Sequence, residues 1–401
     1  MIDFDLAQAR LTDAGTAPKQ HETCSLTLAL GRVLAQDIIT RLDMPPADNS
    51  AMDGYAVCWE DLQASASLPI QARVYAGDVP PALIRGQAIR IFTGAPIPAN
   101  ADTVIMQENC SEQNGHVLIN EPSPQGVNIR RRGEDMQAGL PLIAAGTVLH
   151  SAHIAQLAAQ GIASITVYPR LKVGILTTGD ELTAPGLALP PGHIYNSNAA
   201  MLQAQLADLG VHETDHLHAS DSLESIQNAL QTLSTNCDMV LTVGGVSVGD
   251  KDFVKPAIEA AGGKLDLWKV RMKPGKPLAL AYLNSKPMVC LPGNPVSSYA
   301  VFTLMVSPLI RGLQGRHERH ARLSKGKIQL DKPWFNERED FIRVQATYAP
   351  DGQLLLQPFR NQGSGVISSL PWASGLARMP SGVQVHTNTL VDYYDFAYWR
   401  H

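Results

Sequence analysis

Three things are scarce in this 401-residue chain, and each scarcity closes off a class of protein. The five cysteines, Cys24, Cys58, Cys110, Cys237 and Cys290, are far apart, odd in number and without CxxC spacing. A disulfide framework is therefore not expected, and reduced, mostly buried thiols in a cytoplasmic protein are. Positive charge is not in excess: the formal net charge is −5 and the pI near 6.2, so general attraction to nucleic acid is not expected. No uninterrupted apolar run reaches membrane-spanning length, and the opening MIDFDLAQAR has acidic residues and no apolar core, unlike a signal peptide. Internal repeats and low-complexity tracts are missing as well. What remains is 45% hydrophobic and 17% charged, a globular composition, at a length that calls for two to four domains.

Along the chain, Asp3 to Asp13 reads as a first helix and Leu26 to Val33 as another helical piece, with a short strand-like exit at Ile38 and Ile39. Met44 to Val57 is a loop by its prolines and its Asp48, Asn49, Ser50 cluster. From Leu68 to Glu108 short β segments broken by Gly and Pro (ARVYAG, QAIRIFTG, DTVIMQE) indicate a small β-rich domain, with Arg130, Arg131 and Arg132 at its far edge. The triple arginine is most simply a solvated edge, with screening of an anionic substrate as its functional reading. His150 to Gly161 has an amphipathic helical pattern. From Leu171 strands and helices alternate: Val173 to Leu176, a helix Ala199 to Leu209, His212 to Leu217, a helix Ser222 to Leu233, then Met239 to Leu241. Such alternation specifies a mostly parallel sheet with helices on both faces. After Arg311 a polar tract leads into strand-like Lys327 to Leu330, Phe341 to Thr347, Gln353 to Gln357 and Gly382 to Val385, a separate β domain.

The chemistry concentrates in loops that follow strands. Thr242 to Phe253, TVGGVSVGDKDF, is a strand, a glycine loop and a helix start. Gly244, Gly245 and Gly249 let the backbone approach a ligand, and the helix N-terminus behind them favours a phosphate. Asp250 and Asp252 beside an anion site call for a cation such as Mg²⁺ between them and it, unless Asp252 is only the helix cap. TTGDEL, with Asp180 and Glu181, falls on the same edge, where open α/β sheets bind ligands. Asn196, Ser197 and Asn198 open the next helix, and capping accounts for at least one of them. KPGKP brings Lys273 and Lys276; LPGNPVSSY places Asn294 as cap and Pro295 as first helical residue, with hydroxyls at Ser297 and Ser298. Together they would suit a tetrahedral dianion. Asp53 reads either as a loop carboxylate of a site or as an Asx turn before Gly54. His212, His216 and His218 alternate as metal ligands could, without an evident fourth ligand.

In order, DNSAMDGYA, FTGAPIP, RRGEDM, TTGDEL, GGVSVGDKDF, KPGKP and LPGNPVSSY resemble the MoeA family of molybdopterin molybdenumtransferases, related to the E domain of gephyrin. The resemblance extends through NQGSGVISSLPWASGLARMPSG (Asn361 to Gly382) and so covers nearly the whole chain. It implies an α/β multidomain chain. Residues 1–20 and 171–320 would form a central doubly wound, mostly parallel MogA-like domain that binds molybdopterin. Residues 21–47 and 137–170 would form an elongated linker and dimerisation domain, 48–136 an inserted β-rich domain and 321–401 a C-terminal β domain.

The reaction implied is molybdenum insertion: adenylylated molybdopterin and molybdate give molybdenum cofactor and AMP, with Mg²⁺. By motif match Asp53, Thr93, Asp135, Glu181, Asp221 and Asp252 carry catalysis or substrate binding, with Glu181 and Asp252 toward the metal. Gly244, Gly245, Ser247, Gly249, Asp250, Pro292 and Pro295 bind the substrate, and molybdate falls to Lys273, Lys276, Ser297, Arg343 and Ser364. The resemblance also implies a homodimer whose site combines both chains. The adenylylating domain fused to the eukaryotic relatives is not in the sequence, so a MogA-type adenylyltransferase is the expected substrate donor. Two alternatives remain. A MogA-type adenylyltransferase would share the glycine loop but not KPGKP or the β domains, and a gephyrin-like scaffold would have no need of the carboxylates.

Overall fold

The computed structural model describes residues 1–121, 123–245 and 252–399, so Ser247, Gly249 and Asp250 lie outside the described residues. The chain forms two compact units: Met1–Gln36 with Ala145–Ile154 and Ser164–His401, and Asp37–Ala144 with Ala155–Ala163.

The first unit is built on a six-stranded sheet. Its strands are β1 (Lys172–Thr178), β2 (Glu213–Ala219), β3 (Met239–Val243), β4 (Lys264–Trp268), β5 (Ala279–Leu283) and β6 (Lys286–Leu291), in the spatial order β2-β1-β3-β6-β5-β4. The first four in space run parallel, and β5 and β4 continue antiparallel. Helices α1 (Phe4–Ala14), α2 (Ser197–Asp208), α3 (Leu223–Asn236), α4 (Val254–Ala260) and α5 (Pro295–Leu313) cover it.

Strand alternation divides the core in two. Val173, Ile175, Leu241 and Leu291 face Leu202 and Leu206 of α2, Val296 and Leu304 of α5, and Phe4 and Leu11 of α1. Leu176, Val240 and Met288 face Ile226 and Leu230 of α3 and Val254 and Ile258 of α4. Helix α1, the first sequence-predicted helix, thus belongs to the α/β core.

Helix α5 is long and apolar enough by length and composition to cross a membrane, yet 94% of it is buried in this core. It widens into a π turn at Phe302–Val306, just before Pro308. Proline has no N–H for the Leu304 carbonyl and crowds it. That carbonyl instead accepts from Gln8 Nε2 of α1 at 2.7 Å.

The C-terminal strands β7 (Ser324–Ile328), β8 (Glu339–Tyr348), β9 (Leu354–Pro358), β10 (Gly375–Met379) and β11 (Leu390–Asp395) pair in the order β8-β9-β7-β11-β10 and close on β8, making a barrel. One sequence expectation changes here. Gly382 to Val385 is not a strand: Gly382 has φ +67° and Val385 makes only an isolated bridge to Trp334. The strand expected there is supplied by β10 and β11.

In the second unit a six-stranded sheet has the order Thr103–Met106, Gly54–Val57, Ala88–Ile91, Ser67–Val74, His116–Ile119, Cys110–Gln113. This is the β-rich segment expected from Leu68 to Glu108. Leu26 to Val33, expected as helical, forms only a 3₁₀ turn at Leu26–Leu28; Val33 and Leu34 instead bridge to Val148 and Val167. All five cysteines are free thiols, four of them buried.

Candidate active site

The parallel strands end level with one another. Thr178 stands opposite Ala219, Thr177 opposite Val243, and Val243 opposite Leu291, so the loops after β1, β2, β3 and β6 open side by side. They enclose a cleft of about 270 Å³ lined by Thr178, Gly179, Glu181, Asp221, Gly244, Gly245, Asp252, Pro277, Pro292 and Gly293. Glu181, Asp221 and Asp252, three of the six carried-over catalytic residues, therefore share one cleft with the glycine turn.

The turn requires glycine. Gly244 has φ +96° and Gly245 φ +63°; a Cβ on the first would lie 2.9 Å from the Thr178 carbonyl oxygen, and one on the second 2.8 Å from Val254 Cγ2. Gly179, at φ +139°, lies under the Glu181 carboxylate, whose Oε2 would be 2.6 Å from a Cβ there. Asp180 and Asp221 tie the β1 and β2 loops together: Asp221 N–H donates to Asp180 Oδ1 (3.1 Å) and Asp180 N–H to Asp221 Oδ2 (3.4 Å). Asp252 is not the helix cap. That position belongs to Phe253, which has no side-chain oxygen, and Asp252 is placed on the cleft wall instead.

A neighbouring hollow of about 380 Å³ shares Thr178, Glu181, Gly244 and Gly293 and adds Asn196, Ser197, Asn198, Asn294 and Pro295. Asn196 caps α2, accepting from Ala199 N–H (3.2 Å). Asn198 donates to the Gly293 carbonyl (2.7 Å), while its own Oδ1 and the Thr178 hydroxyl are buried with no partner among the described residues. Such orphaned atoms in a polar hollow ask for a ligand or water. Neither was singled out as a site residue from the sequence; for Asn198 the surplus of Asn over the single cap position in NSN was the available signal.

None of the predicted molybdate residues lines either hollow, although Ser364 bonds to Asn294 of the second. Lys273 Nζ lies 3.2 Å from Oδ2 of the buried Asp340, which also accepts from Trp334 Nε1 (3.2 Å) and Asn336 Nδ2 (3.0 Å). Burial raises the Asp340 carboxyl above its ordinary range, and Lys273 and the two hydrogen bonds oppose that rise. The Lys276 backbone carbonyl accepts from Val270 N–H, and between the two lysines Gly275 (φ +116°) packs where a Cβ would meet Val301. Pro292 and Pro295 line the first and second hollow respectively. Ser297 is buried near the start of α5.

At that helix start the Ser364 carbonyl accepts from Val296 N–H (3.2 Å) and its hydroxyl accepts from Asn294 Nδ2 (3.1 Å), so part of the expected anion site is already capped. Arg343 is buried. Its Nε donates to Ser369, Nη1 to Gln362 O, and Nη2 to Asn361 O and Gly363 O, all within 3.1 Å. Its guanidinium therefore holds the loop that carries Ser364.

In the second unit, Asp53 Oδ1 accepts both the N–H (2.8 Å) and the hydroxyl (2.7 Å) of Thr93, which hold its carboxyl below the usual range. Asp135 is exposed, with its N–H on the Met44 carbonyl (3.0 Å). Two of the three arginines are paired, Arg131 with Asp48 and Arg132 with Asp43, each at 2.7 Å. The histidine reading as a metal site is not supported. His216 and His218 both reach the Thr177 hydroxyl, His212 precedes the strand, and no group of three metal-ligating side chains occurs among the described residues.

An open α/β sheet with a glycine turn, a proline-stiffened loop and three carboxylates at its switch point is an arrangement suited to a phosphorylated ligand. Family models match in the same order: the MoeA N-terminal region (domain I and II) over residues 2–161, a probable molybdopterin binding domain over 174–312, and the MoeA C-terminal region (domain IV) over 327–396. The chain belongs to the MoeA family. Its relatives include the molybdopterin molybdenumtransferases of Haemophilus influenzae, 38% identical over 320 residues and 79% of each chain, and of Nostoc, 39% identical over 303 residues, 73% of this chain and 70% of the other. Among solved structures, the moeA protein of molybdopterin biosynthesis from Pyrococcus horikoshii is similar with a TM-score of 0.82 at 29% identity, covering 98% of this chain and 100% of that one.

Proposed function

We propose that the protein is a molybdopterin molybdenumtransferase, which takes adenylylated molybdopterin and molybdate and releases molybdenum cofactor and AMP. The observation that carries this reading is the cleft itself, where the glycine turn and Glu181, Asp221 and Asp252 line one space of about 270 Å³. The turn suits the phosphate of the adenylylated substrate, and the carboxylates suit the cation that such a phosphate brings. Magnesium fits the donor set: Glu181 and Asp252 line the cleft together with the glycine turn, and Mg²⁺ is commonly held by one or two carboxylates with phosphate oxygens and water. Glu181 and Asp252 would hold it, and its charge would offset the developing negative charge on the departing phosphate.

Molybdate is assigned to Lys273, Lys276, Ser297 and Ser364, with Arg343 as the residue that positions the Ser364 loop. Keeping the two dianions on separate donors avoids their mutual repulsion. Asp53, Thr93 and Asp135 are assigned to the pterin part of the substrate. The alternative adenylyltransferase reading is disfavoured by the C-terminal barrel and the KPGKP loop. A scaffold role is disfavoured by the retention of the cleft carboxylates. We place the reaction in the cytoplasm, supplied by a MogA-type adenylyltransferase, and expect a homodimer. Support for the dimer comes from Leu28 and Leu30 on the first unit and Ile39, Leu42 and Leu140 on the second, all exposed. Sedimentation as a monomer at micromolar concentration would count against it.

The deciding experiment follows AMP release from adenylylated molybdopterin as molybdate is varied. Lys276→Ala should raise the molybdate concentration for half-maximal rate, and excess molybdate should restore turnover. Asp252→Asn should lose AMP release whatever the molybdate concentration. Rescue of the Asp252 variant by molybdate, with the Lys276 variant dead, would reverse the assignment, and no AMP release from the native chain would end the reading.

A further inference from the structure

Four planar groups of the second unit form one column. The Arg90 guanidinium lies 4.9 Å from the centre of the Tyr55 ring and 4.8 Å from that of Phe92. Phe92 in turn stacks on Tyr75, with centroids 4.6 Å apart and planes 8° from parallel. The inner end is fixed. Tyr55 is buried and donates to Glu112 (2.8 Å), and the buried Arg90 donates to the Gly54 carbonyl (3.3 Å) and to Gln107. At the outer end Tyr75 is 52% exposed. Packing accounts for the inner three groups; it gives no reason for an aromatic ring laid flat on Phe92 with half its surface in water.

The column leads to the Asp53 carboxylate. Phe92 N–H donates to the Val74 carbonyl (3.2 Å), setting Phe92 beside the strand that delivers Tyr75, and the next residue, Thr93, makes both of its bonds to Asp53 Oδ1. Among the described residues no side chain donates to Oδ2. A flat aromatic face and an acceptor-only carboxylate are therefore linked through two consecutive residues, Phe92 under Tyr75 and Thr93 on Asp53.

We propose that Tyr75 is the stacking platform for the pterin ring of the substrate, with the ring's donor edge directed at Asp53; this rests on the function proposed above. The chemistry selects the ring. A pterin presents only donors on this edge, its 2-amino group and the adjacent ring N–H, to the open Oδ2, whereas adenine offers one donor beside a lone pair that the carboxylate repels. Stacking on an aromatic side chain tolerates either ring, so Tyr75 supplies affinity and Asp53 supplies the choice.

The test is a fluorescence titration with 6-hydroxymethylpterin, run beside adenosine, on the native chain and on Tyr75→Ala, Tyr75→Phe and Asp53→Asn, with KM and kcat for AMP release measured on the Tyr75 variants. Tyr75→Ala is expected to weaken pterin binding about tenfold and to raise KM for adenylylated molybdopterin with kcat kept, while Tyr75→Phe keeps both. Asp53→Asn should weaken the pterin and leave adenosine unchanged. Because Tyr75 is half exposed, its variants should keep the native melting temperature. A Tyr75→Ala chain with native pterin affinity and native KM overturns the platform while leaving the proposed function standing. Loss of adenosine binding rather than pterin binding overturns the choice of ring. A native chain that releases no AMP fails the functional reading itself.

Discussion

Lys273 is asked to do two things, and a pair of substitutions separates them. Its ammonium lies 3.2 Å from Asp340, whose side chain is 3% exposed while that of Lys273 is 38% exposed. Breaking a fully buried ion pair by removing one partner costs about 3–5 kcal/mol, because a charge is left uncompensated. Here water reaches the lysine, and the carboxylate keeps Trp334 and Asn336 as donors, so Lys273→Ala should cost roughly 1–3 kcal/mol. The loss should depend on pH. Burial raises the Asp340 carboxyl above its ordinary range, so its contribution to stability is complete below that range and is lost as pH rises through the folded value. Removing Lys273 takes away the charge that most opposes this rise, so Lys273→Ala should be less destabilised at pH 5 than at pH 8. Adding Asp340→Asn removes the stranded charge and should restore most of the thermal stability. It cannot restore a cation for molybdate, so the double variant should still need about tenfold to hundredfold more molybdate, the loss of one charge-assisted contact. Thermal unfolding and the molybdate dependence of AMP release read the two roles independently. If the double variant recovers native use of molybdate together with native stability, Lys273 serves only the barrel and the anion assignment is wrong.

Chelation should act on the other anion: EDTA is expected to stop AMP release and added Mg²⁺ to restore it, and unchanged turnover in chelator would remove the ion from the reaction. Arg343→Ala leaves three carbonyls, of Asn361, Gln362 and Gly363, and the Ser369 hydroxyl without their donor, so it should destabilise by about 3–5 kcal/mol. Limited proteolysis should then cut between residues 359 and 366, whereas Ser364→Ala should resist cleavage and lose only molybdate affinity. Native protease resistance in Arg343→Ala would show that the loop does not depend on the guanidinium.

Strand and helix existence was legible where the pattern was local. The apolar runs of β1 and β3 and the capped starts of α2 and α3 announced themselves, because alternation and capping act within a few residues. The β5–β6 hairpin was not, and its turn shows why. Asn284 and Ser285 both take positive φ, 53° and 63°, a conformation usually signalled by Asn-Gly, and Ser at the second position removes the signal. Strands β10 and β11 were missed for a different reason. Strand β10 is placed by closure onto β8 and β11 by pairing with β7, both across tens of residues that no short window contains.

The same distinction governs the site. Glycine, aspartate and lysine in strand-end loops could be read singly, each with an ordinary explanation of its own. Arg343 shows the limit: the residue type suggests an anion ligand, and only the folded chain shows its donors spent on three backbone carbonyls. What turns separate loops into one cleft is register. Because Thr178, Ala219, Val243 and Leu291 end level, Glu181, Asp221, Gly244 and Pro292 emerge at the same height, from parts of the chain more than a hundred residues apart. A slip of one residue in any of those pairings would turn that strand's core side chains to the opposite face, so the packing that fixes the core fixes the site with it. The core alternation is visible in the sequence, and the alignment of the loops follows from it only once the strands are paired.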